Sequence, residues 1–173
     1  MKRFVVAVVG ATGVVGQEVL NILQERRFPV PELRPFASAR SEGLSLPFDG
    51  RALSVHEATP AGFRGVDLVF FAAGSSVSRK LAPEAVKAGA VVVDKSAAWR
   101  MEPEVPIVIP EVNADDLAGH RGIISSPNCS TIQMVMALAP LHRVNPIVRV
   151  IVDTYQAASG AGGHALQELF EQT

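Results

Sequence analysis

The run "FVVAVVGATGVVG", residues 4–16, confines the fold more tightly than any other part of this sequence. Residues 4–9 are apolar without alternation, as in a strand buried on both faces of a parallel sheet. Glycines at 10, 13 and 16 follow. Beyond the first two of them, Val15, Val19, Ile22 and Leu23 predict an apolar stripe on a helix ending near Arg26-Arg27. A glycine loop in this position lets the backbone approach a pyrophosphate, which a helix N-terminus attracts through its dipole and free N–H groups. The spacing is G-x-x-G-x-x-G rather than the commoner G-x-G-x-x-G. A tight strand-to-helix turn that binds nothing is therefore the competing explanation.

The rest of the chain keeps the alternation. Further strands are predicted at 33–37, 67–72, 90–94, 105–109 and 122–125, with helices over 78–88 and 130–139. The second of these helices carries Ile132, Val135, Met136 and Ala139 on one face, with Pro140 as its stop signal. Residues 44–55 alternate apolar and polar side chains around Asp49-Gly50, a hairpin signal. Residues 147–155 read as a long strand, followed by "ASGAGG" and a helix running to Thr173. Strands alternating with helices mean βαβ units and a parallel α/β sheet.

Composition sets the remaining bounds. A length of 173 residues holds one complete domain and part of a second. Hydrophobic residues make up 48% of the chain, with a mean hydropathy of +0.25. That richness fits a sheet buried on both faces, or a surface made to meet more protein. A net charge of −1 supplies no basic field for nucleic acid or an anionic membrane. One cysteine excludes an internal disulfide framework and a Cys-rich zinc site, so no metal is expected. No stretch approaches membrane-spanning length, and a reduced, cytoplasmic protein is the expectation.

The end of the second predicted strand bears on the choice of nucleotide. A grip on NAD calls for an acidic residue there, to hold the ribose hydroxyls. This chain has "SARSEG", residues 38–43, with Arg40 between two serines. A guanidinium beside hydroxyls suits a phosphate, because it binds phosphate oxygens in bidentate fashion, and this favours NADP over NAD. Glu42 argues the other way, and a solvated loop arginine is the plain alternative.

The single cysteine lies in "SSPNCSTIQ", residues 125–133. The helix predicted from Ser130 puts Cys129 at its N-terminus, where dipole and free N–H groups favour a thiolate. Those N–H groups, with Asn128, could also steady an oxyanion when sulfur attacks a carbonyl. A lone cysteine is commonly a small buried filler, but the polar company of Asn128, Ser130 and Thr131 speaks against that here. A thiolate beside a nicotinamide suggests acyl-enzyme chemistry, with attack on an acyl group followed by hydride transfer.

Taken together and in order, "GATGVVG", "SARS", "FAAGSS", "DKSAAWRM", "PEVN", "SPNCST" and "TYQAASGAG" resemble the aspartate-semialdehyde dehydrogenase family over essentially the whole chain. The resemblance implies a Rossmann-type, doubly wound, mostly parallel sheet over 1–127. It also implies the start of an α+β catalytic and dimerisation domain over 128–173. The implied activity is reductive dephosphorylation of L-aspartyl 4-phosphate with NADPH, yielding the semialdehyde for lysine (through diaminopimelate), methionine and threonine synthesis. Cys129 would be the nucleophile, with Asn128 helping to position the acyl group and Gln156 orienting the substrate. Arg100 would bind the substrate phosphate. Gly10, Thr12, Gly13 and Val14 would cradle the cofactor phosphates, and Ser38, Arg40 and Ser41 would meet the 2′-phosphate. Ser75, Ser159 and Gly160 would line the cofactor cleft. The partners implied are small-molecule substrates and a second copy of the full-length chain.

Two departures from the family stand out. Lys95 occupies a position where many members carry asparagine. The family is roughly twice as long, and its acid/base histidine and carboxylate-binding arginine fall outside these 173 residues. His56, His120, His142 and His164 match no family motif and read as solvated or structural. On that reading the chain alone binds NADP without turnover. The alternatives are an N-acetyl-gamma-glutamyl-phosphate reductase-like enzyme and a truncated NADP-binding module.

Overall fold

The computed structural model describes residues 2–173. β1 (Val5–Val9) leads into α1 (Val14–Glu25) and β2 (Glu32–Ala37). A hairpin of β3 (Ser45–Phe48) and β4 (Arg51–Ser54) precedes a short β5 (His56–Glu57). β6 (Leu68–Phe71), α2 (Ser75–Lys87) and β7 (Val91–Asp94) form the next βαβ unit. A single-turn α3 (Pro110–Asn113) and β8 (Ile123–Ser125) follow, then α4 (Cys129–Val144) and α5 (Gly163–Gln172). Six strands form one sheet in the order β5-β2-β1-β6-β7-β8, every pair parallel. This is the doubly wound architecture expected.

Both faces of β1 are buried, which explains its unbroken apolar run. Ala7 and Val9 face a core built with Phe63, Val69, Phe71, Leu81, Ala85 and Val92. Val6 and Val8 face the opposite layer with Leu20, Leu23, Leu33 and Phe48. The hairpin turns at Asp49 and Gly50, both with positive φ (49° and 72°), as a two-residue turn of matching twist requires. Its Phe48, Leu46 and Leu53 cover the α1 layer.

Five elements differ from expectation. The buried face of α1 is Gly16, Leu20 and Leu23, while Val15 and Ile22 face outward. Gly16 sets that rotation, because a Cβ there would lie 2.1 Å from the Gly10 carbonyl oxygen. α2 begins at Ser75, three residues early, behind Gly74. Residues 105–109 do not form a strand, since Pro106 can donate nothing to a ladder. They run beside β8 through one bridge, Ile107 to Ser125, with Val108 N–H donating to the Ser125 carbonyl. Pro140 does not end α4, which continues to Val144 and is tied down where Arg143 donates to the Val112 carbonyl. Residues 147–155 form no strand. Most of their side chains point outward, Val148 being 98% and Tyr155 99% exposed, and among the described residues no neighbouring strand completes a ladder. Among the described residues no helix is long and apolar enough to cross a membrane.

Candidate active site

A cleft of about 880 Å³ opens at the carboxyl ends of β1, β2 and β6, where ligands settle in sheets of this type. Gly10, Thr12 and Gly13 line it from the first turn, and Ser38, Arg40 and Ser41 from the segment after β2. Gly10 has φ of 87°, and a Cβ on it would sit 2.9 Å from the Ala72 backbone, so only glycine lets the loop lie against the end of β6. The N–H groups of Thr12, Val14, Val15 and Gly16 donate to no backbone carbonyl of the described residues. Unpaired donors at the start of a twelve-residue helix, with Thr12 among them in the cleft wall, suit an anion such as a pyrophosphate. Val14, expected beside them, does not line the cleft, and its side chain is half-exposed.

The question raised by Glu42 is answered by its contacts. Its carboxylate pairs with His56 Nδ1 at 3.0 Å and accepts the backbone N–H of Glu57. It is thereby drawn to β5, and neither Glu42 nor His56 lines the cleft. Arg40 makes no ion pair among the described residues and stays available. Three titratable residues of the cleft wall were not assigned to it from the sequence: Glu57, Lys80 and His164. Lys80 follows Val77 by three positions, so helical spacing from the start of α2 was the signal that could have found it. His164, read as solvated or structural, is exposed and lies in the cleft wall. The other three histidines have structural contacts, His120 accepting from Gly122 N–H and His142 from Ile147 N–H. Ser75 is the first residue of α2 and does not line the cleft.

A second constellation lies at the start of α4. Asn128 caps the helix, its Oδ1 accepting the Ser130 N–H at 3.0 Å and the Ser130 hydroxyl at 2.6 Å. That oxygen is therefore committed to the helix, and the Nδ2 amide is the part of Asn128 left to meet a ligand. Cys129 is the first residue of α4 and is exposed, so it is not a buried filler. Gln156, 27 residues further on, donates Nε2–H to Cys129 Sγ at 3.1 Å. Gly160 permits that reach, since a Cβ there would lie 2.3 Å from Gln156 Nε2. Ser159 and Gly160 belong to a 3-10 turn, Ala158–Ala161, behind the glutamine rather than to the cleft wall.

Arg100 ties the loop after β7 to the segment leading into α4. Its Nε donates to the Ser126 carbonyl at 3.0 Å, three residues before Cys129, and Nη2 donates to the Lys95 carbonyl at 3.1 Å. Nη1 makes no hydrogen bond among the described residues, which suits an anion. The Lys95 side chain is exposed. The loop carrying Arg100 is fastened from below by the buried Asp94, whose Oδ2 accepts the Ser96 hydroxyl at 2.7 Å, while Ser96 Oγ accepts the Ala98 N–H. Trp99 Nε1 donates to the buried Ser78 of α2 at 2.8 Å. The structure thus holds a braced guanidinium at Arg100, and at the start of α4 an exposed thiol with an amide donating to its sulfur.

Residues 5–120 match the family model described as "Semialdehyde dehydrogenase, NAD binding domain", and residues 138–173 match "Semialdehyde dehydrogenase, dimerisation domain". The aspartate-semialdehyde dehydrogenase of Bacillus subtilis is 54% identical over 168 residues, 97% of this chain and 49% of that protein. This chain belongs to the aspartate-semialdehyde dehydrogenase family. The solved aspartate semialdehyde dehydrogenase II of Vibrio cholerae, complexed with ASA, superposes with a TM-score of 0.96 at 44% identity, covering 100% of this chain and 52% of that one. The Candida albicans member, solved with NADP, superposes with a TM-score of 0.69 at 27% identity, covering 84% and 48%. The chain thus spans about half the length of the family members it matches.

Proposed function

We propose that this chain is the nucleotide-binding and nucleophile-bearing part of an NADP-dependent aspartate-semialdehyde dehydrogenase. The observation that carries the reading is the 3.1 Å approach of Gln156 Nε2 to an exposed Cys129 Sγ at the start of α4. It agrees with the family membership and with the ASA bound by the Vibrio cholerae relative.

In this reading Arg100 takes the phosphate of L-aspartyl 4-phosphate, and the Cys129 thiolate attacks the acyl carbon. The carbon–oxygen bond to phosphate breaks, phosphate leaves, and a thioester remains on Cys129. Backbone N–H groups at the α4 terminus and Asn128 Nδ2 face the oxyanion that forms on the way. Gln156 holds the acyl group beside the sulfur. The thioester would become the aldehyde as its carbon–sulfur bond breaks and the Cys129 thiolate is released, with the hydride supplied by NADPH when bound. Gly10, Thr12 and Gly13 would hold its pyrophosphate, and Ser38, Arg40 and Ser41 its 2′-phosphate. The domain division proposed is 1–127 for nucleotide binding and the start of a catalytic, dimer-forming domain over 128–173.

The test is covalent trapping. Incubation with L-aspartyl 4-phosphate without nucleotide should add one aspartyl group, located on the Cys129 peptide by mass spectrometry and removed by hydroxylamine. Acylation elsewhere, or none in a chain whose thiol reacts with iodoacetamide, would overturn the assignment.

A further inference from the structure

Two adjacent basic residues on α2 are treated differently by the fold. Arg79 pairs with Glu102 at 3.0 Å and lies over the Trp99 ring, 5.4 Å from its centroid. Lys80 makes no ion pair among the described residues and lines the nucleotide cleft, beside Val77 and Leu81. The fold also decides which end of the cleft it occupies. The 3-10 turn Pro60–Phe63 packs against α2, and just before it Ala58 N–H donates to the Ala37 carbonyl at 3.1 Å. These contacts bring the cleft face of α2 to the segment that carries Ser38, Arg40 and Ser41.

We propose that Lys80 is a second cation for the cofactor's 2′-phosphate, acting across the cleft from Arg40. The proposal rests on the NADP reading above and adds to it a residue from a different element. Charge is the reason. Arg40 shares its end of the cleft with the Glu57 carboxylate, so Arg40 alone leaves that end with no net positive charge. Lys80 makes the local sum +1, which attracts a phosphate near two negative charges but offers nothing to the bare 2′-hydroxyl of NAD. A lysine is also the residue type for this task at an exposed rim. Its ammonium acts as a point charge on a flexible stem and follows the phosphate, whereas Arg40 supplies directed donors.

The test uses fragments that isolate the 2′-phosphate. Adenosine 2′,5′-bisphosphate and AMP would be titrated calorimetrically into the 173-residue chain, into Lys80→Ala and into Lys80→Arg. Circular dichroism would establish that each variant is folded, which an exposed position allows. The expected result is that Lys80→Ala weakens the bisphosphate by roughly three- to tenfold. AMP binding should stay within twofold, and Lys80→Arg should retain most of the preference. If Lys80→Ala leaves the bisphosphate unchanged, or weakens both fragments equally, the assignment of Lys80 is overturned while the NADP reading stands. If the unmutated chain binds the two fragments equally or not at all, the NADP reading itself fails and takes the proposal with it.

Discussion

The parallel sheet up to Ser125 and the segment from Cys129 onward are built to different standards. In the first, Val6, Ala7 and Val8 are wholly buried, and strand, helix and hairpin enclose two core layers. In the second, neither α4 nor α5 buries a single residue fully, and Ile151 and Phe170 are 80% and 75% exposed. Yet the candidate nucleophile and the amide that reaches it both lie in the second region. The nucleotide cleft is lined by the first region apart from His164 of α5. The thiol site is anchored to that scaffold at a few points, chiefly Arg100 on the Ser126 carbonyl.

That contrast can be broken or sharpened by substitution. The largest effect expected is from Cys129→Ala, which should slow phosphate release from L-aspartyl 4-phosphate by on the order of 10⁴-fold or more. NADP affinity, measured by calorimetry, should stay within twofold, because Cys129 does not line the cleft. A parallel loss of nucleotide binding would show that the two sites are one cooperative unit.

The same truncation placed in each region comes next. Val8→Ala removes fully buried methyl groups and should lower stability to urea by about 2–4 kcal/mol. Val148→Ala, at a 98% exposed position, should change it by less than about 0.5 kcal/mol. Sedimentation velocity adds a second reading. If the exposed apolar side chains drive self-association of the chain, Val148→Ser with Ile151→Ser should shift it toward monomer.

Arg40→Ala probes the cleft alone. NADP affinity should fall by about 1.5–3 kcal/mol, the worth of a charge-assisted hydrogen bond, while NAD affinity holds. Equal losses for both nucleotides would remove Arg40 from the 2′-phosphate. The smallest effect expected is from Asn128→Ala, which strips the cap from α4. It should cost about 1 kcal/mol of stability, seen as earlier fraying of that helix in hydrogen exchange. Protection of β1 and β6 amides should not change.

Local rules explain what could be read directly from the residues. The glycine loop, the unbroken apolar strands, the Asp49-Gly50 turn and the helix starting at Cys129 each depend on neighbours a few positions apart. In such cases backbone sterics and side-chain period are sufficient guides. The features that only folding decided all depend on distant partners. Val15 and Ile22 fit a helical stripe as well as Leu20 does, but the close approach of Gly16 to the Gly10 carbonyl rotates Leu20 inward. Glu42 looks like a ribose ligand until His56 and the Glu57 amide, fourteen and fifteen residues away, claim its carboxylate. Arg79 and Lys80 are alike in the sequence, and Trp99 with Glu102 separates them. Residues 147–155 have the composition of a strand but lack a ladder to join, because β propensity takes effect only when a neighbouring backbone supplies the hydrogen bonds.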